Sequence, residues 1–258
     1  MPIALYVSLT FATVRYANLK SRTVDLVGDY AGDELFLIEG DSLLYHVFSN
    51  DRLDFDPGMQ MLHATYLVEH FLRALHQRGC KFHVVFFQNN ASLCVPPFSL
   101  PYLRSKYLLA REAIIQHLQN NLKVAASSIA VNIFGSYETP AFKEYLQESG
   151  TYFFMCHDGS SSEVETTTDS DSESDSTIEF ENLGADDEDD TDSEEAYRWI
   201  PMNTHIWDFR IMINWFIRQR YNIALIDGLE CRDTKVSSLL ITVEWASVTR
   251  IHDNRLWQ

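Results

Sequence analysis

The run of seven mostly apolar residues at positions 81–87, Lys-Phe-His-Val-Val-Phe-Phe, constrains the fold of this chain more than any other stretch. A strand with one face in water alternates apolar and polar residues, whereas this run has apolar residues at four consecutive positions, from Val84 to Phe87. Such a strand needs cover on both faces. The run is therefore typical of a parallel sheet enclosed between two layers of helices.

Segments with the character of strands and helices alternate along the chain. Strands are predicted at residues 34–38, 81–87, 123–134, 151–156 and 222–226, and a last segment at 235–248 suits a strand or a helix. Helices are predicted at residues 42–48, 57–79, 102–121, 137–148 and 204–220. Residues 21–33 lead into the first strand. This order predicts an α/β fold with a parallel, doubly wound sheet in a Rossmann-like three-layer arrangement.

The acidic residues of the chain are concentrated in one segment, residues 159–196. This segment holds 16 of the 37 acidic residues and no Lys or Arg, so the rest of the chain, with 20 basic residues, is nearly neutral. It has too few large apolar residues to offset the entropy lost on ordering, and we predict that it is disordered. The predicted organisation is a loosely attached leader at 1–20, an α/β domain at 21–158, the acidic insertion at 159–196, and the final helix and strands of the domain at 197–258.

The four cysteines, Cys80, Cys94, Cys156 and Cys231, have no spacing that suits zinc. Cys80 and Cys156 lie in or beside apolar runs, which predicts buried thiols in a reducing compartment. No stretch approaches the roughly 20 apolar residues of a membrane span. We expect an intracellular, cytoplasmic protein that does not contact a membrane.

Acidic residues follow three of the predicted strands, where the carboxyl ends of parallel strands form the usual ligand-binding edge. Carboxylates that converge there suit one or two Mg²⁺ or Mn²⁺ ions, which polarise a phosphate and activate water. The predicted catalytic residues are Glu39, Asp41 and Asp158. The predicted metal ligands are Glu39, Asp41, Glu69, Asp158 and Asp227.

Two of these positions have local structural alternatives. Asp41 or Ser42 is also suited to cap the helix that follows the first strand. Asp227 and Gly228 form a dipeptide that is typical of a tight turn.

Other candidates have alternatives of the same kind. Glu69 lies four residues before Arg73 on a predicted helix, and an ion pair between them is slightly favoured over a metal ligand. Asp158 is also simply the first acid of the insertion. His157 is a candidate general base, although a single histidine at a strand end is more often structural.

Basic residues recur on two predicted helices. Three of them, Arg104, Lys106 and Arg111, are the predicted nucleic-acid-binding residues, and a second set comprises Arg210, Arg218 and Arg220. The alternative is that both sets are ordinary solvated helix faces. The near-neutral charge outside the insertion weakens the RNA interpretation, because affinity for phosphate depends on clustered cations. The sequence has no phosphate-binding loop with Gly-Lys-Ser/Thr, no Gly-x-Gly-x-x-Gly and no Gly-x-Ser-x-Gly, so it predicts no ATPase.

One family resembles this chain over roughly residues 22–248. The block Asp-Leu-Val-Gly-Asp-Tyr-Ala-Gly at 25–32, followed by Glu-Leu-Phe-Leu-Ile-Glu-Gly-Asp-Ser-Leu-Leu at 34–44, is similar to the N-terminal region of the DExD/H-box helicase 60 family of superkiller-like RNA helicases. Shorter blocks at 66–69, 84–87, 115–119 and 227–229 continue the resemblance. The helicase motors of that family are not part of this sequence.

The resemblance implies a PIN-like domain, the nuclease fold in which a parallel sheet gathers acids around Mg²⁺ or Mn²⁺. In that pattern the first strand ends in Asp, a small residue, and Asn or Ser, whereas this chain has Glu39 and Asp41 in the first and third places. The second strand ends in Gln-Asn-Asn at 88–90, where many active members have an acid. These departures imply a degenerate nuclease module that takes part in RNA binding or processing.

Two alternatives stand beside this interpretation. The first is an active Mg²⁺- or Mn²⁺-dependent endoribonuclease, and the second is a protein-interaction scaffold whose acidic insertion docks a basic partner. The expected partners are RNA and a helicase core or another protein. The sequence carries no indication of the oligomeric state.

Overall fold

The computed structural model describes residues 19, 21–29, 34–56, 58–97, 99–121, 123–124, 127–160 and 204–242. The predicted leader at 1–20, except Leu19, lies outside the described residues. The same holds for the acidic insertion beyond Ser160 and for residues 243–248 of the predicted last segment.

The described residues form ten strands and five α-helices, with one 3₁₀ helix at Gln88–Cys94. The strands are β1 (Ser21–Asp25), β2 (Leu35–Glu39), β3 (Lys81–Phe87), β4 (Lys123–Val124), β5 (Ser127–Ser128), β6 (Val131–Phe134), β7 (Phe153–Cys156), β8 (Asn222–Leu225), β9 (Glu230–Arg232) and β10 (Lys235–Ile241). The helices are α1 (Gly40–Phe48), α2 (Met61–Gln77), α3 (Pro101–Asn121), α4 (Pro140–Ser149) and α5 (Thr204–Arg218).

Five parallel strands form the centre of the main sheet, in the order β6, β3, β2, β7, β8. Ile38 of β2 lies between Val84 of β3 and Met155 of β7 in this register. The order reverses between β2 and β7, because the chain winds outward to one side from β2 through β3 to β6 and then returns to the other side. In open α/β sheets, ligands bind at this point of reversal, outside the carboxyl ends of the strands.

The sheet is mixed, which corrects the prediction of a purely parallel, doubly wound sheet. β10 pairs antiparallel with β8, β1 and β9, so that one side of the sheet is antiparallel. The physical reason is the short connection after β8. A parallel strand needs a crossover of a dozen or more residues, usually a helix, whereas only a turn and the short strand β9 separate β8 from β10.

Helices cover both faces of the sheet, as the continuous apolar strands require. Phe36 and Ile38 of β2 point into one core, which α1, α2 and α3 cover, and Leu37 between them points into a second core, which α4 and α5 cover. In the second core the rings of Phe154 and Phe216 stack with their centroids 3.9 Å apart. The three-layer α/β arrangement is therefore confirmed.

Most predicted elements form close to their predicted bounds, and β3 at Lys81–Phe87 has exactly the predicted residues. The predicted strand at 123–134 is wrong in part, because two short strands, β4 and β5, pair antiparallel there before β6 begins at Val131. Cys80 and Cys156 are buried free thiols, as predicted. None of the described helices is both long enough and apolar enough to cross a membrane.

Candidate functional site

The candidate site lies at the carboxyl ends of β2, β7 and β8, where the strand order reverses. Glu39 ends β2, and its side chain turns back onto the helix that follows. The two carboxyl oxygens accept hydrogen bonds from the backbone N–H groups of Asp41 and Ser42, at 3.2 and 2.6 Å. Glu39 thus caps α1, whereas the capping alternative drawn from the sequence named Asp41 or Ser42.

Burial makes the Glu39 carboxyl an unusually weak acid. The residue is fully buried, and this burial, with the neighbouring Asp41 as a second cause, raises the pKa of Glu39 from 4.5 to about 8. A carboxyl with such a pKa carries its proton through much of the neutral range. Its capping bonds to α1 and its closed surroundings make it part of the framework of the sheet edge.

Asp41 forms a buried ion pair with a cation of α3. Arg111 of α3 donates from Nε to one carboxylate oxygen of Asp41 at 2.6 Å and from Nη2 to the other at 2.9 Å. Nη2 also lies 3.3 Å from the carbonyl oxygen of Phe87, the last residue of β3. The guanidinium therefore ties α1, β3 and α3 together, and its contact with Asp41 raises the pKa of Arg111, so that it stays charged.

The three predicted nucleic-acid-binding residues all lie on α3, but their surroundings differ. Arg111 is only 2% exposed, so its side chain is inaccessible to a phosphate in this conformation. Lys106 donates from Nζ to the carbonyl oxygens of Phe55 and Asp56, at 3.0 and 2.6 Å. Arg104 is exposed on the same helix.

Glu69 and Asp158 also have local partners. Glu69 accepts from Arg73 at 3.2 Å, which confirms the favoured ion pair, and its other oxygen lies 2.8 Å from Nε2 of His117. Asp158 is buried at the end of β7, and one of its oxygens accepts the backbone N–H of Ser160 at 2.9 Å and also the Ser160 hydroxyl.

A Mg²⁺ or Mn²⁺ ion of the kind that the PIN-like pattern implies needs several oxygen ligands around one point. In the part of the chain that the structure describes, one group of three or more candidate ligands converges, and two of its three members are histidines. Glu39 is committed to the helix cap and Asp41 to Arg111. The donor set at this edge therefore does not fit an ion held by carboxylates alone.

The converging group consists of His46, His157 and Asp227. One ligand atom from each, two imidazole nitrogens and a carboxylate oxygen, lie within 4.8 Å of one another. The three residues come from α1, from the position after β7, and from the turn after β8. Asp227 opens that turn, in which Gly228 has a φ of 78° and the N–H of Leu229 donates to the carbonyl of Ile226 at 3.1 Å. The predicted Asp-Gly turn is therefore confirmed, and it brings Asp227 to the two histidines.

Aromatic neighbours hold the two histidine rings. His157 is 4% exposed and meets the ring of Tyr45 edge-on at 4.7 Å, and the ring of Phe209 lies at 5.9 Å. The ring of His46 lies 6.1 Å from His157 and 6.3 Å from Phe71. Burial lowers the pKa of His157 to about 4, so its imidazole is uncharged at neutral pH, and partial loss of water lowers the pKa of the exposed His46.

A groove of about 270 Å³ adjoins this group. His46 forms part of its lining, together with Phe71 of α2, Ile226 after β8, and Cys231 of β9. His46 is exposed and opens onto this groove, Asp227 is partly exposed, and His157 is buried. The group of three thus lies at the edge of the sheet with one of its histidines open to a groove.

Comparison with known proteins agrees with this architecture. The profile of a family described as the PIN-like domain of the ATP-dependent RNA helicase DDX60 matches residues 10–168. This match covers more than half of the chain.

The chain belongs to the DDX60 PIN-like family.

A curated relative is matched over only a small part of its length. The human protein named probable ATP-dependent RNA helicase DDX60-like is 28% identical over 140 residues, which are 54% of this chain and 7% of the relative. The matched segment therefore spans less than a tenth of that protein's length. No solved structure gives a significant match.

Two functional features of this PIN-like domain were missed by sequence reasoning. The buried position of Arg111 had a detectable signal, because Tyr107, Ala110, Ile114 and Leu118 form an apolar stripe on α3 that also includes position 111. His46 had no comparable signal. It lies among ordinary helix residues, and only the packing of α1 against the ends of β7 and β8 brings it to His157.

Proposed function

We propose that this chain is a degenerate PIN-like module that serves in RNA binding or processing within a helicase-type protein and does not cleave RNA by the usual carboxylate-bound metal mechanism. One observation carries the proposal. Asp41, which holds the third place of the pattern that begins with Glu39, has both oxygens bonded to the buried Arg111, at 2.6 and 2.9 Å.

The charge of Arg111 explains why this pairing opposes metal binding. A divalent ion at Asp41 would have to displace a guanidinium that is itself buried and makes two further bonds, to Glu112 and to the Phe87 carbonyl. Removing one partner of such a pair leaves an uncompensated charge in the interior, which costs about 3–5 kcal/mol. The ion pair therefore occupies the place where a nuclease of this fold would hold its metal.

The RNA part of the proposal rests on family membership and on the exposed cations of the domain. Arg104 on α3, Arg218 at the end of α5 and Arg220 just after it are exposed. Contacts to phosphate from such residues release counterions, so RNA binding should weaken steeply with salt. Because the domain is nearly neutral outside the acidic insertion, we expect weak binding that depends on these few side chains.

The second proposed partner is a helicase core or another protein. The matched segment covers only 7% of the human relative, so a domain of this kind works there as one part of a long chain. We propose the same arrangement here, with the module supplying a surface for RNA or protein. The alternative of a scaffold based on the acidic insertion concerns residues outside the described part of the chain and stays a prediction.

The test combines a cleavage assay and a binding assay on the purified chain. End-labelled single-stranded and double-stranded RNA are incubated with Mg²⁺ or Mn²⁺, and binding is followed by fluorescence anisotropy over a range of salt concentrations. We expect no cleavage above that of an Asp227→Asn preparation, and weak, salt-dependent binding. Arg104→Ala should reduce binding, whereas Arg73→Ala, which removes a surface cation of α2 paired with Glu69, should not.

Two results would overturn the proposal. Cleavage that requires the metal and disappears in Asp227→Asn would identify an active endoribonuclease. Absence of any salt-dependent binding to either RNA would remove the RNA role and leave a protein-interaction module.

A further inference from the structure

We propose that His46, His157 and Asp227 form a binding site for a first-row transition-metal ion, of which Zn²⁺ is the best fit. The site differs in chemistry from the Mg²⁺ or Mn²⁺ centre implied by the PIN-like pattern, and the proposal stands whether or not the chain binds RNA. It concerns binding of an ion and assigns the ion no role in RNA cleavage.

The spacing of the three ligand atoms supports the site. Two imidazole nitrogens and one carboxylate oxygen lie within 4.8 Å of one another. Zinc binds such atoms at about 2.0–2.2 Å, so two ligands of a tetrahedral zinc ion are about 3.4 Å apart. An ion would therefore draw the three ligand atoms closer together than they lie here, and the exposed His46 has the most freedom to move.

The identity of the donors selects the metal. Imidazole nitrogen suits zinc and other first-row transition ions, while Mg²⁺ prefers an octahedron of oxygen atoms. Two histidines and one carboxylate supply three ligands of a zinc ion and leave a fourth position for water. The groove of about 270 Å³ beside His46 provides that access to solvent.

The three ligands are held by different parts of the fold, which limits their freedom before an ion arrives. His46 lies on α1, whose start is capped by Glu39, and Asp227 lies in the turn closed by Leu229 and Ile226. His157 is fixed by the rings of Tyr45 and Phe209. Sites built on such elements lose little entropy when the ligands converge.

One contact sets the expected strength of binding. The backbone N–H of Gly159 donates to Nδ1 of His157 at 2.9 Å, so the uncharged ring carries its proton on Nε2. An ion must displace either that proton or the Gly159 hydrogen bond. Most zinc-binding histidines instead donate their second N–H to an acceptor, which strengthens binding. We therefore expect a lower affinity than that of structural zinc sites.

The experiment is a calorimetric titration. Zn²⁺ is added to the metal-stripped full chain in the presence of excess Mg²⁺, and the heat of binding is measured. The excess Mg²⁺ occupies the loose cation sites of the acidic insertion, which offers only oxygen ligands. His46→Ala removes an exposed ligand with little effect on the core, and His63→Ala removes an exposed histidine of α2 as the matched control. A parallel titration with Co²⁺ follows the visible absorption of the bound ion, and circular dichroism verifies that each variant is folded.

We expect one Zn²⁺ per chain, about tenfold or greater loss of affinity in His46→Ala, and unchanged affinity in His63→Ala. The visible band of bound Co²⁺ should disappear in His46→Ala and in Asp227→Asn. Equal affinity of the wild type and His46→Ala for Zn²⁺, or the absence of saturable binding in excess Mg²⁺, would overturn the proposal. Because neither assay contains RNA, failure here is distinct from failure of the RNA role.

Discussion

The pair of Asp41 and Arg111 shows how one residue decides what the sheet edge can do. Both side chains are almost completely removed from water, at 0% and 2% exposure. A charge in such surroundings is tolerated only with a close partner and further hydrogen bonds, and the guanidinium has both. Loss of either partner alone would leave the other charge buried without its counterion. The pair contributes to stability mainly through this cost.

Replacement of Arg111 by methionine should destabilise the domain by about 3–5 kcal/mol, because it leaves the Asp41 carboxylate buried without its cation. The free energy of unfolding is measured by denaturation in urea. Arg73→Met is the matched control, since Arg73 is 54% exposed and its pair with Glu69 should contribute no more than about 1 kcal/mol.

The double variant Arg111→Met with Asp41→Leu tests the cause. Removal of both charges should recover much of the stability, because the buried acid is then absent. If Arg111→Met alone is as stable as Arg73→Met, the ion pair does not hold the sheet edge together.

Glu39 should make the stability of the domain depend on pH. Its pKa is raised from 4.5 in the unfolded chain to about 8 in the folded domain, chiefly by burial. The folded state therefore keeps this proton up to a higher pH than the unfolded state does. The stability that Glu39 contributes is fully present below pH 4.5 and is lost as the pH rises towards 8. Each pKa unit corresponds to about 1.4 kcal/mol, so the loss is on the order of a few kcal/mol.

Glu39→Gln removes this titration and should flatten the decline of unfolding free energy between these two pH values. Urea denaturation at a series of pH values gives the comparison, with Glu144→Gln on the exposed face of α4 as control. An identical pH profile for the wild type and Glu39→Gln would show that the carboxyl is not perturbed by its surroundings.

At the scale of elements, the junction of β2 with α1 depends on a close approach to β3. Gly40 begins α1, and a Cβ atom at this position would overlap the ring of Phe86. That ring is 1% exposed and lies beneath the guanidinium of Arg111, with 5.5 Å between the guanidinium carbon and the ring centre. The junction therefore requires glycine because there is no space for a side chain.

We expect Gly40→Ala to destabilise the domain by about 1–3 kcal/mol, the usual cost of overpacking a closed interior. Gly58→Ala is the control, because a Cβ at Gly58 has only the Gln60 side chain nearby, at 3.9 Å. Thermal unfolding of the two variants provides the measurement. Partial recovery in Gly40→Ala with Phe86→Leu would attribute the loss to the ring, whereas equal melting temperatures of the two glycine variants would contradict the prediction.

At the scale of the whole molecule, the sheet combines a buried parallel centre with an antiparallel side. β2 has β3 and β7 as neighbours and helices over both faces, so its hydrogen bonds are protected from water. Among the described strands, β9 pairs only with β10, and two of its three residues are exposed. We therefore expect the local free energy of unfolding to be higher in the central strands than in β9.

Native-state hydrogen exchange should show the slowest amides in β2, β3 and β7 and much faster exchange in β9, because exchange in a central strand requires global unfolding. Mass spectrometry of peptide fragments resolves these segments. Protection of β9 equal to that of β2 would mean that the antiparallel side unfolds together with the centre.

The amino-acid sequence by itself determined most of the elements and several of their local contacts. The apolar run at Lys81–Phe87 predicted a strand with both faces covered, and β3 has the same residues. The Glu69–Arg73 ion pair and the turn at Asp227 were likewise predictable. Such features follow from periodicity and from residues a few positions apart, which interact within one helix or one turn.

Only the tertiary structure decided the direction of β10, the partner of Asp41 and the grouping of His46 with His157 and Asp227. Asp41 and Arg111 are 70 positions apart, and the histidines come from different elements. Contacts of this kind depend on how helices pack across a sheet and on how far each connection reaches, and no local pattern specifies either. For this reason the strand-end acids were predictable as a set, whereas their division between a cap, an ion pair and a histidine-rich site was decided by packing.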